Sequence, residues 1–168
     1  MNDILRLIAG GLLALCSSYI GLVIKRRYAD REKFYSSLCQ FLDSAVSELS
    51  FRKTPVPQIA DNFCSGRKGE FEKFIKEYVA LAKEGKSYEQ MLEKLQPQHI
   101  KSDEKKEILA FLCTLGKTSL DDQLKNVNRA QAIFSQKRDE LAKENKKLGG
   151  MYFKLCVLLG LAIIIFLA

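Results

Sequence analysis

The chain has 168 residues, 47% of them apolar, and a formal net charge of +7. That length suits one globular domain with attached segments. Five cysteines without a CxxC pair, together with a single histidine, exclude the usual zinc frameworks and argue against a disulfide scaffold.

The apolar content is uneven. Residues 4–24 carry one charge, Arg6, and residues 155–168 carry none. As a helix, residues 4–24 reach roughly 31 Å, enough for a hydrocarbon core of about 30 Å. Asp3 precedes this stretch and Lys25-Arg26-Arg27 come directly after it, the reverse of the charge order in a cleaved signal peptide. The positive-inside rule then puts the residues after Ile24 in the cytoplasm, with Arg6 snorkelling at the outer end. Gly10, Gly11 and Gly21 predict a close contact with another helix.

No breaker ends the helix after the span. Phe34, Leu38, Phe41, Leu42, Ala45, Val46 and Leu49 recur at threes and fours, so one helix is predicted to run on to about Phe51. Thr54-Pro55-Val56-Pro57 marks the next start, with Thr54 as cap and Pro55 in the first helical position. Val56, Ile59, Ala60 and Phe63 form the stripe of this second helix. Phe71, Phe74, Ile75, Tyr78, Val79 and Ala82 form that of a third, stopped at Gly85. Ser87 with Gln90 reads as a capping box for a fourth helix that ends at Pro97. Ser102 is expected to cap a fifth, whose inner side is Ile108, Leu109, Phe111, Leu112 and Leu115. The sixth starts at Ser119 or Leu120 and carries a narrow seam of Leu124, Val127, Ala130, Phe134, Leu141 and Leu148. Lys143, Lys146 and Lys147 repeat the basic flank ahead of a second span, residues 151–168, about 27 Å long.

The expected architecture is all-α: a six-helix antiparallel cytoplasmic bundle with one transmembrane helix at each end. Residues 1–27 form the first anchor and its basic flank, 28–147 the bundle, and 148–168 the second anchor, with both termini across the membrane. Of the 27 basic residues 25 lie between the spans, as do 19 of the 20 acids, so that part is about +6. Such a surplus suits anionic lipid, where each basic residue near the surface is worth roughly 1 kcal/mol. The cysteines read as reduced, small apolar residues.

No constellation for catalysis emerges. Gly116-Lys117-Thr118 has the ending of a phosphate-binding loop, but Phe111 stands where its first glycine belongs and the preceding segment is helical. Gly116 is instead expected to close the fifth helix in the left-handed conformation, and Ser119 to cap the sixth, with Asp122 adding charge there. Asp121 and Asp122 are neighbours on a helix and do not face each other. His99 has no cysteine nearby and reads as a loop histidine. Basic residues interleave with acids on every helix, which disfavours a nucleic-acid surface. No catalytic residue, cofactor, metal or small-molecule substrate is expected.

Three stretches carry a resemblance: 22–27 at the span exit, 50–57 with Thr54, Pro55 and Pro57, and 115–124 with Leu115, Gly116, Ser119, Asp122 and Gln123. Together with the anchored layout, they make the chain resemble the stage III sporulation protein AB family of endospore-forming bacteria over nearly its whole length. Ser119 stands where that family has Asp, which keeps a cap and removes a charge. Cys113 stands where an earlier Leu-Gly pair would supply a glycine. The family is similar to the cytoplasmic domains of type II secretion F platform proteins. The resemblance implies a subunit in the mother-cell membrane around the engulfed forespore, within a channel-like assembly, and the lack of a catalytic constellation makes that subunit a non-enzymatic one. The partners it implies are a secretion-type ATPase, stage III sporulation protein AA, and other membrane proteins of the same operon. A passive scaffold and a tethered nucleic-acid binder are the alternative functions.

Overall fold

The computed structural model describes residues 2–52, 54–117 and 119–167; the side chains of residues 2–9, 52, 164 and 167 lie outside that description. The expected snorkelling of Arg6, and Lys53 and Thr118 within the two motif stretches, therefore fall outside the described residues. All described secondary structure is helical: α1 (Asn2–Arg52), α2 (Val56–Cys64), α3 (Glu70–Lys83), α4 (Tyr88–Lys94), α5 (Ser102–Thr114) and α6 (Leu120–Glu144). A π-helical turn (Asn145–Gly149) then leads into α7 (Gly150–Leu167). The glycine pair 149–150 therefore does not end the helix; the chain widens through one turn and continues.

The chain divides into two compact units, Lys33–Arg138 and Met1–Glu32 with Asp139–Ala168. The first is built from α2 to α5 and the adjoining lengths of α1 and α6, six helices in all. Its core is aromatic. Phe34 meets Phe71 edge-on at 5.4 Å, Phe41 meets Phe63 at 5.5 Å, and Phe134 of α6 meets both Tyr35 and Phe111. Leu38, Phe41, Leu42, Ile75, Ile108, Leu109, Leu112 and Val127 are fully buried. Each such side chain contributes about 1.5–3 kcal/mol.

The predicted stripes hold with one exception: Ala82 is exposed. Two helix starts also differ. Thr54 does not cap α2; its hydroxyl donates to Glu48 Oε2 at 2.8 Å, because the last turns of α1 bring that carboxylate within reach. Pro55 takes the cap position, so a proline, Pro57, still falls at a helical position needing no N–H. Ser102 is the first residue of α5 rather than its cap, and Glu104 reaches back to accept the Lys101 N–H at 3.3 Å. The Ser87 box is complete in both directions, at 3.1 and 3.4 Å. Gln131, on the polar edge of the α6 seam, donates to Asp43 of α1.

The second unit pairs the start of α1 with α7 in antiparallel fashion. Ala14 lies against Gly160, Gly21 against Phe153 and Cys156, and Lys25 against Gly149. A Cβ on Gly21 would stand 2.9 Å from Cys156 Cβ, and one on Gly160 would stand 3.1 Å from Ala14 Cα. Glycine is required at both positions for the helices to approach so closely. Ser17 Oγ donates to the Cys156 carbonyl at 2.7 Å, and Asn145 Nδ2 to Glu32 Oε2 at 2.7 Å. The large apolar side chains point away from this seam; Leu15 is 70% exposed, Ile165 78% and Phe166 92%. Among the described residues no helix is long and apolar enough to cross a membrane. Each of the two expected spans includes residues whose side chains are outside the description.

Candidate functional site

Within the Lys33–Arg138 unit, the turn after α1 and the turn after α5 lie side by side. Gly116 has φ +84°, the left-handed conformation that stops α5, and a Cβ there would sit 3.7 Å from Val56 Cγ2. A β-branched side chain at Gly116 would meet both the backbone penalty and Val56. Ser119 secures the other side of the turn. Its oxygen accepts the Asp122 N–H at 3.3 Å and its hydroxyl donates to Asp122 Oδ2 at 2.7 Å. Asp122 is thereby tied to the cap instead of being offered as half of a carboxylate pair with Asp121.

The two turns enclose a groove of about 540 Å³, lined by Leu49, Thr54, Pro55, Val56, Pro57, Leu115, Gly116, Leu120 and Gln123. Of the eight motif residues singled out in sequence, Asp122 and Ser119 alone stand off the lining, as the cap that shapes it. A second hollow of about 360 Å³ continues past Val56, Pro57 and Leu115 toward α3 and α4; Tyr78, Ala82, Lys86, Tyr88, Met91, Cys113 and Lys117 line it. This extension was not read from the sequence. The available signal was Val56, an apolar residue at the first position of α2. The exposure of Ala82 belongs here, since it forms part of the wall instead of the core.

The two tyrosine hydroxyls in the extension are already engaged. Tyr78 donates to the Leu112 carbonyl at 2.8 Å and Tyr88 to the Lys106 carbonyl at 3.3 Å. Burial, and next the adjacent Cys113, push the Tyr78 phenol far above its ordinary range. Burial also raises the Cys113 thiol, against the pull of Lys117. A thiol raised in this way is the opposite of an activated nucleophile.

The remaining sequence candidates lie elsewhere. His99 Nδ1 is 2.7 Å from Glu70 Oε2, and the His99 N–H donates to Glu70 Oε1 at 3.0 Å, so α3 holds the loop between α4 and α5. No cluster of three metal-binding side chains occurs among the described residues. The five cysteines are free thiols: Cys39 and Cys64 are buried, Cys113 and Cys156 half-buried, and Cys16 exposed. In the other unit the antiparallel pairing brings the two basic flanks to one level. Lys25 lies against Gly149, and Lys25, Arg26 and Arg27 of the first flank are exposed, as are Lys143, Lys146 and Lys147 of the second. Lys25 Nζ stands 5.7 Å from the Phe153 ring centre, a cation–π contact.

These features define an all-helical chain of two units, one a six-helix bundle with an open apolar groove between two helix-ending turns. The chain matches the model of the stage III sporulation protein AB family over residues 6–168, and it belongs to that family. No curated protein and no solved structure matches it.

Proposed function

We propose that this sporulation-family chain is a membrane-anchored, non-enzymatic subunit of a channel-like or secretion-like complex between mother cell and forespore. In this reading it couples a cytoplasmic ATPase, the stage III sporulation protein AA of the same operon, to membrane proteins encoded beside it. The carrying observation is that α1 is one helix from Asn2 to Arg52 that supplies residues to both units and ends beside the groove.

Membrane residence is supported by the packing of the antiparallel α1–α7 pair, a hairpin in space though not in sequence: small residues form the seam and large apolar ones face outward, the arrangement expected when the surroundings are themselves apolar. The basic residues gathered at Lys25, Arg26, Arg27, Lys146 and Lys147 supply the collar expected at anionic headgroups. Coupling further requires that displacement of the bundle reach the hairpin through α1 and α6. A Gly-Gly-Ser insertion after Arg27 or before Gly149 is expected to abolish spore formation while the protein still inserts and folds. Normal sporulation by both variants would leave a tether, which tolerates flexible joints, as the correct reading.

A further inference from the structure

The groove and its extension form one continuous depression, since Val56, Pro57 and Leu115 line both parts. Its apolar wall residues are Val56, Pro57, Val79, Ala82, Met91, Leu115 and Leu120, and Thr54, Tyr78, Ser87, Tyr88, Cys113 and Gln123 add uncharged polar groups to the lining. The charged residues among those lining it are Lys86 and Lys117; no aspartate or glutamate contributes. Lys86 has Glu84 at 3.9 Å, an exposed pair worth little and readily exchanged for another carboxylate. A pocket for a small polar metabolite would need converging unspent hydrogen-bonding groups. Here the Tyr78 and Tyr88 hydroxyls are committed to backbone carbonyls, and the Ser119 hydroxyl beside the groove to Asp122.

We infer that this depression receives an acidic segment of a partner protein, which inserts a large apolar side chain against Val56, Met91 and Leu115 and sets flanking carboxylates on Lys86 and Lys117. This deepens the proposed function, on which it rests, by giving the partner's contact segment a chemistry. The apolar walls provide the buried anchor of an interface, and the two ammonium groups at the rim select the sign of the charge around it.

The test uses the full-length chain in detergent micelles and fluorescein-labelled octapeptides with a central Leu-Phe pair. One peptide carries two glutamates on each side of the pair, and its twin carries lysines. The acidic peptide is expected to bind at least about tenfold more tightly than the twin. Lys86→Glu with Lys117→Glu should reverse that preference, and Ala82→Trp, a change at an exposed wall position, should block both peptides. Bound acidic peptide should also slow alkylation of Cys113 while leaving that of Cys16 unchanged. Equal binding of the twins, binding of neither, preference for a single-stranded oligothymidylate, or an unprotected Cys113 would each overturn the inference. Repeating the titration on the Gly-Gly-Ser insertion after Arg27 separates the two ideas. Binding in a variant that still sporulates removes coupling and keeps the groove; no binding, with sporulation lost on insertion, does the reverse.

Discussion

Lys105 is a lysine in the core, 8% exposed, and its ammonium group closes the end of α4. Nζ donates to the Leu92 carbonyl at 2.8 Å and to the Leu95 carbonyl at 3.0 Å. Leu92 lies in the last turn of a seven-residue helix and Leu95 is its C-cap, where no further residue of the helix can supply an N–H. Replacing Lys105 with Met keeps the length and most of the volume and removes only the donor. Two buried or half-buried carbonyls then lose a charged partner, at about 1–3 kcal/mol each, offset by no longer having to desolvate an ammonium. The net loss should be about 2–4 kcal/mol. For a unit of this size, that corresponds to a fall of roughly 10–20 °C in Tm. Thermal unfolding of the full chain in detergent, followed by circular dichroism at 222 nm, measures it. A melting temperature within about 3 °C of the parent would show that the ammonium contributes no net stability to the end of α4.

At the second turn, Ser119→Ala should cost about 1 kcal/mol through loss of the cap, and Gly116→Val clearly more, since φ is +84° and Val56 lies close; equal melting temperatures for the two variants would contradict this order. Tyr78 holds its proton far more tightly in the folded chain than in the unfolded one. Its contribution is therefore complete below about pH 10 and lost as the pH rises from there through the folded value, so parent stability should drop more steeply above about pH 10 than that of Tyr78→Phe, measured by urea unfolding. Gly21→Leu should push the hairpin apart, because even a Cβ there stands 2.9 Å from that of Cys156. Oxidative cross-linking of Ser17→Cys to Cys156, on a Cys16→Ser background, should fall severalfold in that variant.

Much of the helical order was legible because each helix carries its own local marks. The 3.6-residue stripe of Phe34, Leu38, Phe41 and Leu42 specifies a buried face without reference to any other part of the chain. The Ser87 and Ser119 caps close within three residues, and the Gly116 stop is set by a backbone preference. What was not legible depended on distant partners. Thr54 has the look of a cap, and only the reach of Glu48 from the end of α1 draws its hydroxyl away. Nothing in the run Asp103-Glu104-Lys105-Lys106 sets Lys105 apart from its charged neighbours, and only the open end of α4 gives its buried ammonium something to bond. The groove is the clearest case. Its two turns are about 60 residues apart in the chain, and each by itself is a sufficient account of its own prolines and glycine.

The two units satisfy opposite packing rules, and this bears on how the sequence works. In the Lys33–Arg138 bundle, large side chains such as Phe34, Phe41 and Leu109 are hidden and the described lysines other than Lys105 face out or lie half-exposed, the arrangement that removes apolar area from water. In the hairpin, Gly21 and Gly160 are hidden while Leu12, Leu15, Tyr19, Leu158 and Ile165 face out. Burial of apolar area in water cannot favour that arrangement, since it would leave a large contiguous apolar surface exposed. Close van der Waals approach of two backbones can favour it, provided the surroundings are as apolar as the outward side chains. The change of packing rule falls near residues 32–33 and 138–139, inside the unbroken runs of α1 and α6. Neither helix stops there: α1 runs unbroken from Asn2 to Arg52 and α6 from Leu120 to Glu144. That continuity gives the proposed coupling its physical content and makes the inserted glycines its decisive test.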